Sequence, residues 1–207
     1  MAAAPSAPAA PPPRPQLQML WPERLVNAPP PVDLAAGYEL CVFQDSDLPG
    51  YLALMESAGF IGWTPEKFMQ NSGGALPDGI FVIKHVASGA VVATAMANHR
   101  AQPLHRFGGE LGWVGASPAH QGKGLGRAVC SNVVRCLLER HYRRIYLQTD
   151  DWRLAAVKTY LGMGFVPFLH AEDMPERWRA VCAQLKWPFT PDVWPQVVRK
   201  VEEQKPA

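Results

Sequence analysis

A glycine-rich loop between a strand pattern and a long helix pattern is the feature that most limits the fold of this chain. Residues 110–116 are typical of a strand, and residues 126–141 carry apolar side chains at helical spacing. The loop between them contains Gly122, Gly124 and Gly126. Glycines at a strand-to-helix turn expose backbone N–H groups, and the helix dipole adds partial positive charge behind them. The segment therefore predicts a site for a phosphate or a pyrophosphate.

The other periodic segments place this loop in an α/β (α+β) fold. Further strands are predicted at residues 38–43, 79–86, 90–98, 144–149 and 165–170, and further helices at 48–58, after Thr64, at 152–162 and at 174–186. Short turns join the early strands, whereas helices join the later ones, and such crossovers connect parallel strands. The pattern predicts a mixed, mostly antiparallel central sheet flanked by helices.

Proline is distributed unevenly along the 207 residues. Ten of the 21 prolines fall within the first 37 positions, where alanine is also frequent. Such a segment buries too little side chain to offset its ordering entropy. We therefore predict a disordered Ala/Pro-rich leader at residues 1–18 and an extended arm at 19–37. The folded domain is predicted at 38–172, and residues 173–207 are predicted to be a helical, Trp- and Pro-rich extension packed on it.

Composition excludes several functional classes. The net charge of +2 argues against a nucleic-acid partner, and no apolar run approaches the ~18–20 residues of a membrane span. The N-terminal residues lack the basic start and the following apolar run that are typical of a secretory signal. The four cysteines are widely separated and the histidines are scattered, so neither a disulfide framework nor a metal site is expected. Free thiols favour a cytoplasmic location.

The loop does not match the common nucleotide-binding patterns. A dinucleotide fingerprint would need glycine where Arg127 stands, and a Walker loop would need lysine where Leu125 stands. What remains is Gln121-x-x-Gly124-x-Gly126. This pattern resembles the acyl-CoA loop of the GNAT superfamily of acyl-CoA-dependent N-acetyltransferases, which reads [QR]-x-x-G-x-[GA].

A second motif supports the same resemblance about 35 residues later. Residues 156–165 read A-V-K-T-Y-L-G-M-G-F, which is similar to the A-x-x-x-Y-x-x-x-G-F pattern of the superfamily's fourth helix and following strand. The resemblance covers residues 38–170 and implies a GNAT-like fold. One position departs from the pattern, because Arg153 stands where the superfamily often has asparagine. We expect this arginine to face solvent, with contact to a phosphate or to a substrate acid as the alternatives.

The resemblance also implies how acetyl-CoA is bound as a co-substrate. Loop amides of the superfamily bind the pyrophosphate, and the matching residues here are Gln121, Gly122, Lys123, Gly124, Leu125, Gly126 and Arg127. The superfamily's strand before the loop splays from the next strand and pairs its backbone with pantetheine. The matching residues are Val114, Gly115 and Ala116.

Two residues are candidates for proton transfer. The resemblance makes Tyr160 a general acid near the sulfur of CoA, with a core tyrosine as the alternative. Glu110 lies eleven residues before Gln121, where some superfamily members place a general base, with a solvated glutamate as the alternative. An alkyl amine is only about one part in 10³ to 10⁴ neutral at pH 7, so a base is useful for attack on a thioester. His99 and His105 are weaker candidates for the acceptor site.

These observations predict an N-acetyltransferase that moves an acetyl group from acetyl-CoA to an amine by direct transfer in a ternary complex. No cysteine lies in either motif, which disfavours an acyl-enzyme. The C-terminal helix and residues 187–194 are expected to cap the site, which favours a small-molecule amine acceptor. A protein or peptide N-acetyltransferase and a non-catalytic acyl-CoA-binding regulatory module remain as alternatives.

Overall fold

The computed structural model describes residues 14–197. Its strands are β1 (Leu17–Leu20), β2 (Tyr38–Val42), β3 (Ala75–His85), β4 (Val91–His99), β5 (Gly108–Ala116), β6 (Arg144–Thr149) and β7 (Val166–Phe168). Its α-helices are α1 (Leu48–Ser57), α2 (Pro65–Ser72), α3 (Leu125–Glu139), α4 (Leu154–Met163) and α5 (Met174–Leu185). No helix among the described residues is long and apolar enough to cross a membrane.

The strands form one mixed sheet with the order β2-β3-β4-β5-β6-β1-β7. Neighbours from β2 to β5 are antiparallel, β5 and β6 are parallel, and β1 is antiparallel to both β6 and β7. The parallel pair is connected through α3, as a crossover between parallel strands requires. The predicted fold class, a mostly antiparallel sheet flanked by helices, is confirmed.

Strand β1 is the element that sequence patterns did not predict. Leu17 and Gln18 fall within the predicted disordered leader, and Met19 and Leu20 within the predicted arm, yet these residues form a strand with all four side chains buried. The strand is short and lies among prolines, so it carries no periodic signal of its own. Its order comes from β6 and β7, which supply hydrogen bonds along both of its edges. Residues 1–13 of the predicted leader lie outside the described residues.

The two faces of the sheet are covered by different helices. Side chains alternate along a strand, so Val82 points to one face of β3 while Phe81 and Ile83 point to the other. Val82 belongs to a core cluster with Tyr51 of α1 and Phe68 of α2. The two neighbouring side chains belong to a larger cluster that includes α3, α4 and α5. The sheet is therefore buried on both faces.

The described part of the C-terminal extension packs on the core. Trp178 of α5 is fully buried, and Trp194 lies against it with ring centroids 6.1 Å apart. Phe189 in turn contacts Trp194 at 5.3 Å. Beyond this cluster, the backbone N–H of Leu169 donates to the carbonyl of Pro195, which fastens the segment beside the end of β7. Residues 198–207 lie outside the described residues.

Candidate active site

The glycine loop has the backbone geometry that a phosphate-binding turn requires. Gly122 and Gly124 adopt left-handed φ angles of 77° and 72°, which side-chain-bearing residues adopt only with strain. Gly124 directly precedes the first turn of α3. A Cβ atom added at Gly122, Gly124 or Gly126 would meet no protein atom within 4 Å. All three glycines therefore face open space, and the first N–H groups of a 15-residue helix lie beside it.

A cavity of about 650 Å³ extends along this loop. Six of the seven predicted loop residues line it: Gln121, Gly122, Gly124, Leu125, Gly126 and Arg127. Lys123 is exposed and does not line the cavity. The guanidinium of Arg127 donates to the carbonyl oxygen of Gly162 at 3.1 Å, so this cation is held against the end of α4. The loop therefore forms a wall of the cavity along most of its length.

Strands β5 and β6 separate beside the same cavity. Their parallel pairing ends at Glu110 and Tyr146, although β5 continues to Ala116. A bulge in β5 opposite β4 accompanies the separation, and Trp113 in this bulge has a left-handed φ of 50°. A bulge changes the direction of a strand and ends its regular pairing. The last residues of β5 are therefore free to pair along their open edge with something other than β6.

The three predicted β5 residues do not face the same way. Val114 and Ala116 line the large cavity, but Gly115 does not. A Cβ atom at Gly115 would lie 3.1 Å from Sδ of Met55 in α1. The missing side chain at this position is therefore explained by close packing against α1.

Tyr160 lies where two cavities meet. Val114, Arg153, Ala156 and Tyr160 line both the large cavity and a second one of about 380 Å³. Tyr160 is 6% exposed, and burial raises the pKa of its phenol far above the usual range. The phenol is therefore protonated at neutral pH and can act as a hydrogen-bond donor at this junction.

Glu110 lines the second cavity and is almost completely buried. One carboxylate oxygen, Oε2, accepts from Nδ2 of Asn98 at 3.4 Å and lies 3.6 Å from the guanidinium of Arg100. Burial raises the pKa of Glu110, while Arg100 and Asn98 lower it, and burial has the larger effect. A buried carboxylate with a raised pKa is typical of a proton acceptor that works near neutral pH. The alternative of a solvated glutamate is wrong.

Arg153 corrects another expectation. We expected it to face solvent, but its side chain is only 20% exposed, and its Nε donates to Oδ2 of Asp150 at 3.3 Å. The guanidinium carbon lies 4.2 Å from the ring centroid of Phe60. Phe60 in turn packs edge-on against Trp113, which also lines the second cavity. Stacking and the ion pair together hold this arginine in the site because both restrict the same side chain.

The two candidate histidines do not line the second cavity. His105 is buried, stacks on Tyr146 at 4.0 Å and hydrogen-bonds to Gln18 of β1. Burial, with help from Arg144, lowers the pKa of His105 to about 4. His99 is exposed and hydrogen-bonds to Tyr142. Both histidines therefore support the structure around the site.

One further expectation concerns residues away from the cavities. Residues 187–194 line neither cavity, so the expected cap over the site is wrong. Trp194 is buried against Trp178 of α5 instead, and Trp187 and Phe189 are partly buried against the same core. Among residues 14–197, no cluster of His, Cys, Asp and Glu side chains has the arrangement of a metal site.

Gln16, Arg100 and Asp150 are among the polar residues of the second cavity that were not found from the sequence. Gln16 precedes β1 and donates through Nε2 to Oδ1 of Asp150 at 2.9 Å. Arg100 follows β4, and Asp150 follows β6. Each stands immediately beside a strand, but none belongs to a motif. Only the strand order, which brings β1 next to β6, puts Gln16 at the site.

Comparison with known proteins identifies the family. A sequence model described as the acetyltransferase (GNAT) family matches residues 43–165. The chain is 42% identical to mycothiol acetyltransferase of Nocardia farcinica (strain IFM 10152) over 59 residues. These residues make up 28% of this chain and 20% of that protein. The chain therefore spans only a fifth of this curated relative.

Solved structures share the fold. A GCN5-related N-acetyltransferase from Sphaerobacter thermophilus is 23% identical with a TM-score of 0.60, over 74% of this chain and 49% of that one. The ribosomal-protein-S18-alanine N-acetyltransferase from Escherichia coli is 22% identical with a TM-score of 0.50, over 61% of this chain and 76% of that one. The family match contains the glycine loop, Glu110 and Tyr160. The chain therefore belongs to the GNAT family of acyl-CoA-dependent acetyltransferases.

Proposed function

We propose that this protein transfers an acetyl group from acetyl-CoA directly to the amine of a small molecule, one of a size that fits the cavity of about 380 Å³ beside Glu110. One observation carries the proposal: two cavities share a wall at Tyr160, one bounded by loop amides and the other containing Glu110. Such an arrangement suits a reaction in which donor and acceptor are held on opposite sides of one junction. Holding both reactants in place converts a bimolecular encounter into a step within one complex.

The residues of the large cavity fit acetyl-CoA. Open space beside three glycines leaves room for the pyrophosphate next to the amides at the start of α3. Lys123, exposed on the same loop, adds positive charge without lining the cavity. The unpaired edge of Val114, Gly115 and Ala116 offers backbone groups to the amides of pantetheine. Acetyl-CoA supplies the activated acetyl group as a thioester.

Glu110 and Tyr160 have complementary roles in the proposed reaction. Glu110 takes a proton from the acceptor amine, directly or through water, so that the neutral nitrogen attacks the thioester carbonyl. A C–N bond forms, the C–S bond breaks, and CoA leaves as a thiolate. The nitrogen then loses its second proton to solvent, and the thiolate takes up one proton from solvent. Tyr160 donates a hydrogen bond to the leaving sulfur because burial keeps its phenol protonated. A donor placed where negative charge develops stabilises the transition state.

Direct transfer is favoured over an acyl-enzyme by the state of the nearest cysteine. Cys130 lines the large cavity and is completely buried in α3. Burial raises the pKa of its thiol far above the usual range. The thiolate is the nucleophilic form, so a thiol held protonated is a poor acceptor for acetyl. All four cysteines are unpaired, which supports a reducing cytoplasmic location.

The test is CoA-thiol release from acetyl-CoA with a panel of small amines, amino acids, aminoglycosides and peptides. We expect turnover with small amines, with kcat reduced about 10²–10⁴-fold in Glu110→Gln and about 10-fold or more in Tyr160→Phe. Glu139→Gln and Tyr142→Phe are the matched controls, since neither residue lines either cavity. Preference for peptides would favour a protein acetyltransferase. Acetyl-CoA binding without release of thiol would favour a regulatory module.

A further inference from the structure

The acceptor cavity, defined as the 380 Å³ cavity that contains Glu110, carries charges of both signs. Its ionisable groups other than Tyr160 are Arg100, Glu110, Asp150 and Arg153. The two carboxylates and the two guanidinium groups cancel formally. A cavity built only to receive an ammonium group has no need of cations, because they oppose both its binding and the action of a base. The arginines therefore require an explanation.

Arg153 is already neutralised by groups of the protein. Its Nε donates to Asp150, and the same carboxylate also accepts from Gln16 through its other oxygen. Its guanidinium lies over the ring of Phe60 and within 4.4 Å of the ring centroid of Trp152. It also lines the large cavity, where the acyl donor is proposed to lie. This arginine is thus placed between the two substrates and paired before either binds.

Arg100 is much less engaged. Its side chain is 51% exposed, and the ion pair that it forms within residues 14–197, with Glu110, has a long N–O distance of 3.6 Å. Its backbone is nevertheless fixed, since the hydroxyl of Tyr146 donates to the Arg100 carbonyl at 2.9 Å. A guanidinium has five N–H donors in a planar fork. Arg100 therefore offers an anchored but largely unused anion-binding group at the mouth of the acceptor cavity.

The position of Arg100 beside Glu110 is unfavourable for the proposed base unless a ligand changes it. A cation lowers the pKa of a neighbouring carboxylate, which weakens it as a proton acceptor. An anion bound to Arg100 would neutralise this effect. In a ligand that carries an anion and an amine close together, binding of the anion to Arg100 would also place the amine near Glu110. The positions of Arg100 and Glu110 therefore suit a substrate that carries both an anion and an amine.

We propose that the acceptor is a small amino acid, in the broad sense of an amine that carries a carboxylate, and that Arg100 binds the carboxylate. This inference rests on the proposed function and names its substrate class. A carboxylate matches the planar fork of one guanidinium in a bidentate contact. A phosphate dianion fits less well, because Glu110 and Asp150 on the same cavity would repel its second charge. A peptide amine would leave Arg100 without an anion unless an acidic side chain supplied one.

The experiment compares amino acids with their amides as acceptors in the thiol-release assay. Each pair presents the same amine and side chain with and without the carboxylate charge. We expect wild-type kcat/KM to be at least about 10-fold higher for the preferred acid than for its amide. In Arg100→Gln this ratio should fall about 10–100-fold, the size expected for a lost charge-assisted contact. Arg100→Lys should retain part of it.

Arg106→Gln is the matched control, because Arg106 is exposed on the same loop and does not line the cavity. It should keep the acid-to-amide ratio of the wild type. Melting temperature and acetyl-CoA affinity, measured for each variant, separate loss of folding from loss of recognition. Acids and amides used equally well, or a ratio unchanged in Arg100→Gln, would overturn the substrate class while leaving acetyl transfer intact. Thiol release with no amine at all would overturn both proposals.

Discussion

The two cavities that meet at Tyr160 are built in different ways. The large one is bounded mainly by one continuous stretch of strand, loop and helix, with α4 and the residues just before it as its second side. The acceptor cavity is bounded by side chains from separate places in the chain, including Gln16, Phe60, Arg100 and Asp150. A surface drawn from one stretch of chain is encoded locally. A surface made of side chains depends on which strands the fold brings together.

This difference has a functional meaning. The large cavity, where we propose that CoA binds, needs glycines at a few fixed positions of its loop. An acceptor surface made of scattered side chains can change one residue at a time without disturbing the donor side. Substitutions in the two regions should therefore affect different kinetic constants, and this can be tested.

The largest expected effect is on the donor side. Gly124→Val places a branched side chain in the open space of the loop and strains a left-handed residue, so acetyl-CoA affinity should fall about 100-fold or more by calorimetry. Gly89→Val is the control: Gly89 has a nearly equal φ of 70° in the β3–β4 turn and lines neither cavity. It should lose stability but keep its affinity. Equal affinity in both variants would mean that the loop does not bind the co-substrate.

An intermediate effect is expected from pH on the acceptor side. The pKa of His105 is about 4 in the folded protein against 6.5 for an ordinary histidine. The unfolded chain therefore binds more protons between these values, and stability falls as pH falls from 6.5 towards 4. At pH 5 the loss from His105 is about 2 kcal/mol. His170 adds to it, because its pKa is also lowered by burial.

Urea unfolding at pH 7.5 and pH 5 measures this loss. His105→Gln should be less stable at pH 7.5 but should show a smaller change between the two pH values. Because His105 joins β1 to the loop that carries Arg100, acceptor KM should rise at pH 5 before acetyl-CoA affinity changes. A pH dependence that is unchanged in His105→Gln would show that other groups cause it.

The smallest expected effect is at Gln16. Gln16→Ala removes a hydrogen bond to Asp150 but leaves the ion pair between Asp150 and Arg153. Acceptor KM should rise a few-fold, and acetyl-CoA affinity should not change, since Gln16 lines only the acceptor cavity. Arg14→Ala is a suitable control just outside the cavity. If affinity for acetyl-CoA fell instead, the two cavities would not be independent.

The same contrast explains how much could be predicted from the sequence. Helix α3, strand β6 and the glycine loop carry local signals, and the structure has them within one or two residues of the predicted bounds. The sequence predicts a helix that begins after Thr64, and the Thr64 hydroxyl caps α2 by accepting from the N–H of Lys67 at 3.2 Å. These features depend on neighbouring residues only. The roles of Glu110, Tyr160 and the loop residues in catalysis and binding stay predictions.

Strand β1 and the charged acceptor residues could not be predicted because their environment is made by distant segments. Nothing in Leu17-Gln18-Met19-Leu20 distinguishes a buried strand from a short apolar stretch between prolines. Arg153 was expected in solvent because the ring of Phe60, which covers it, lies far away in the chain. In both cases the contact that fixes the conformation joins residues far apart in the chain. The periodicity of a sequence predicts only the local secondary structure.

The position of β1 also determines when the sheet can be completed. Leu20 pairs with Tyr146 and Val166, which are synthesised more than a hundred residues later. Strand β1 therefore cannot pair until β6 and β7 have been made. During synthesis, β2 to β5 can form their antiparallel hairpins while β1 remains unpaired. Pairings of such long sequence separation are slow to form, and an unpaired apolar strand is exposed to wrong partners meanwhile. The shortness of β1 limits this hazard, since a four-residue strand offers little surface for a wrong pairing.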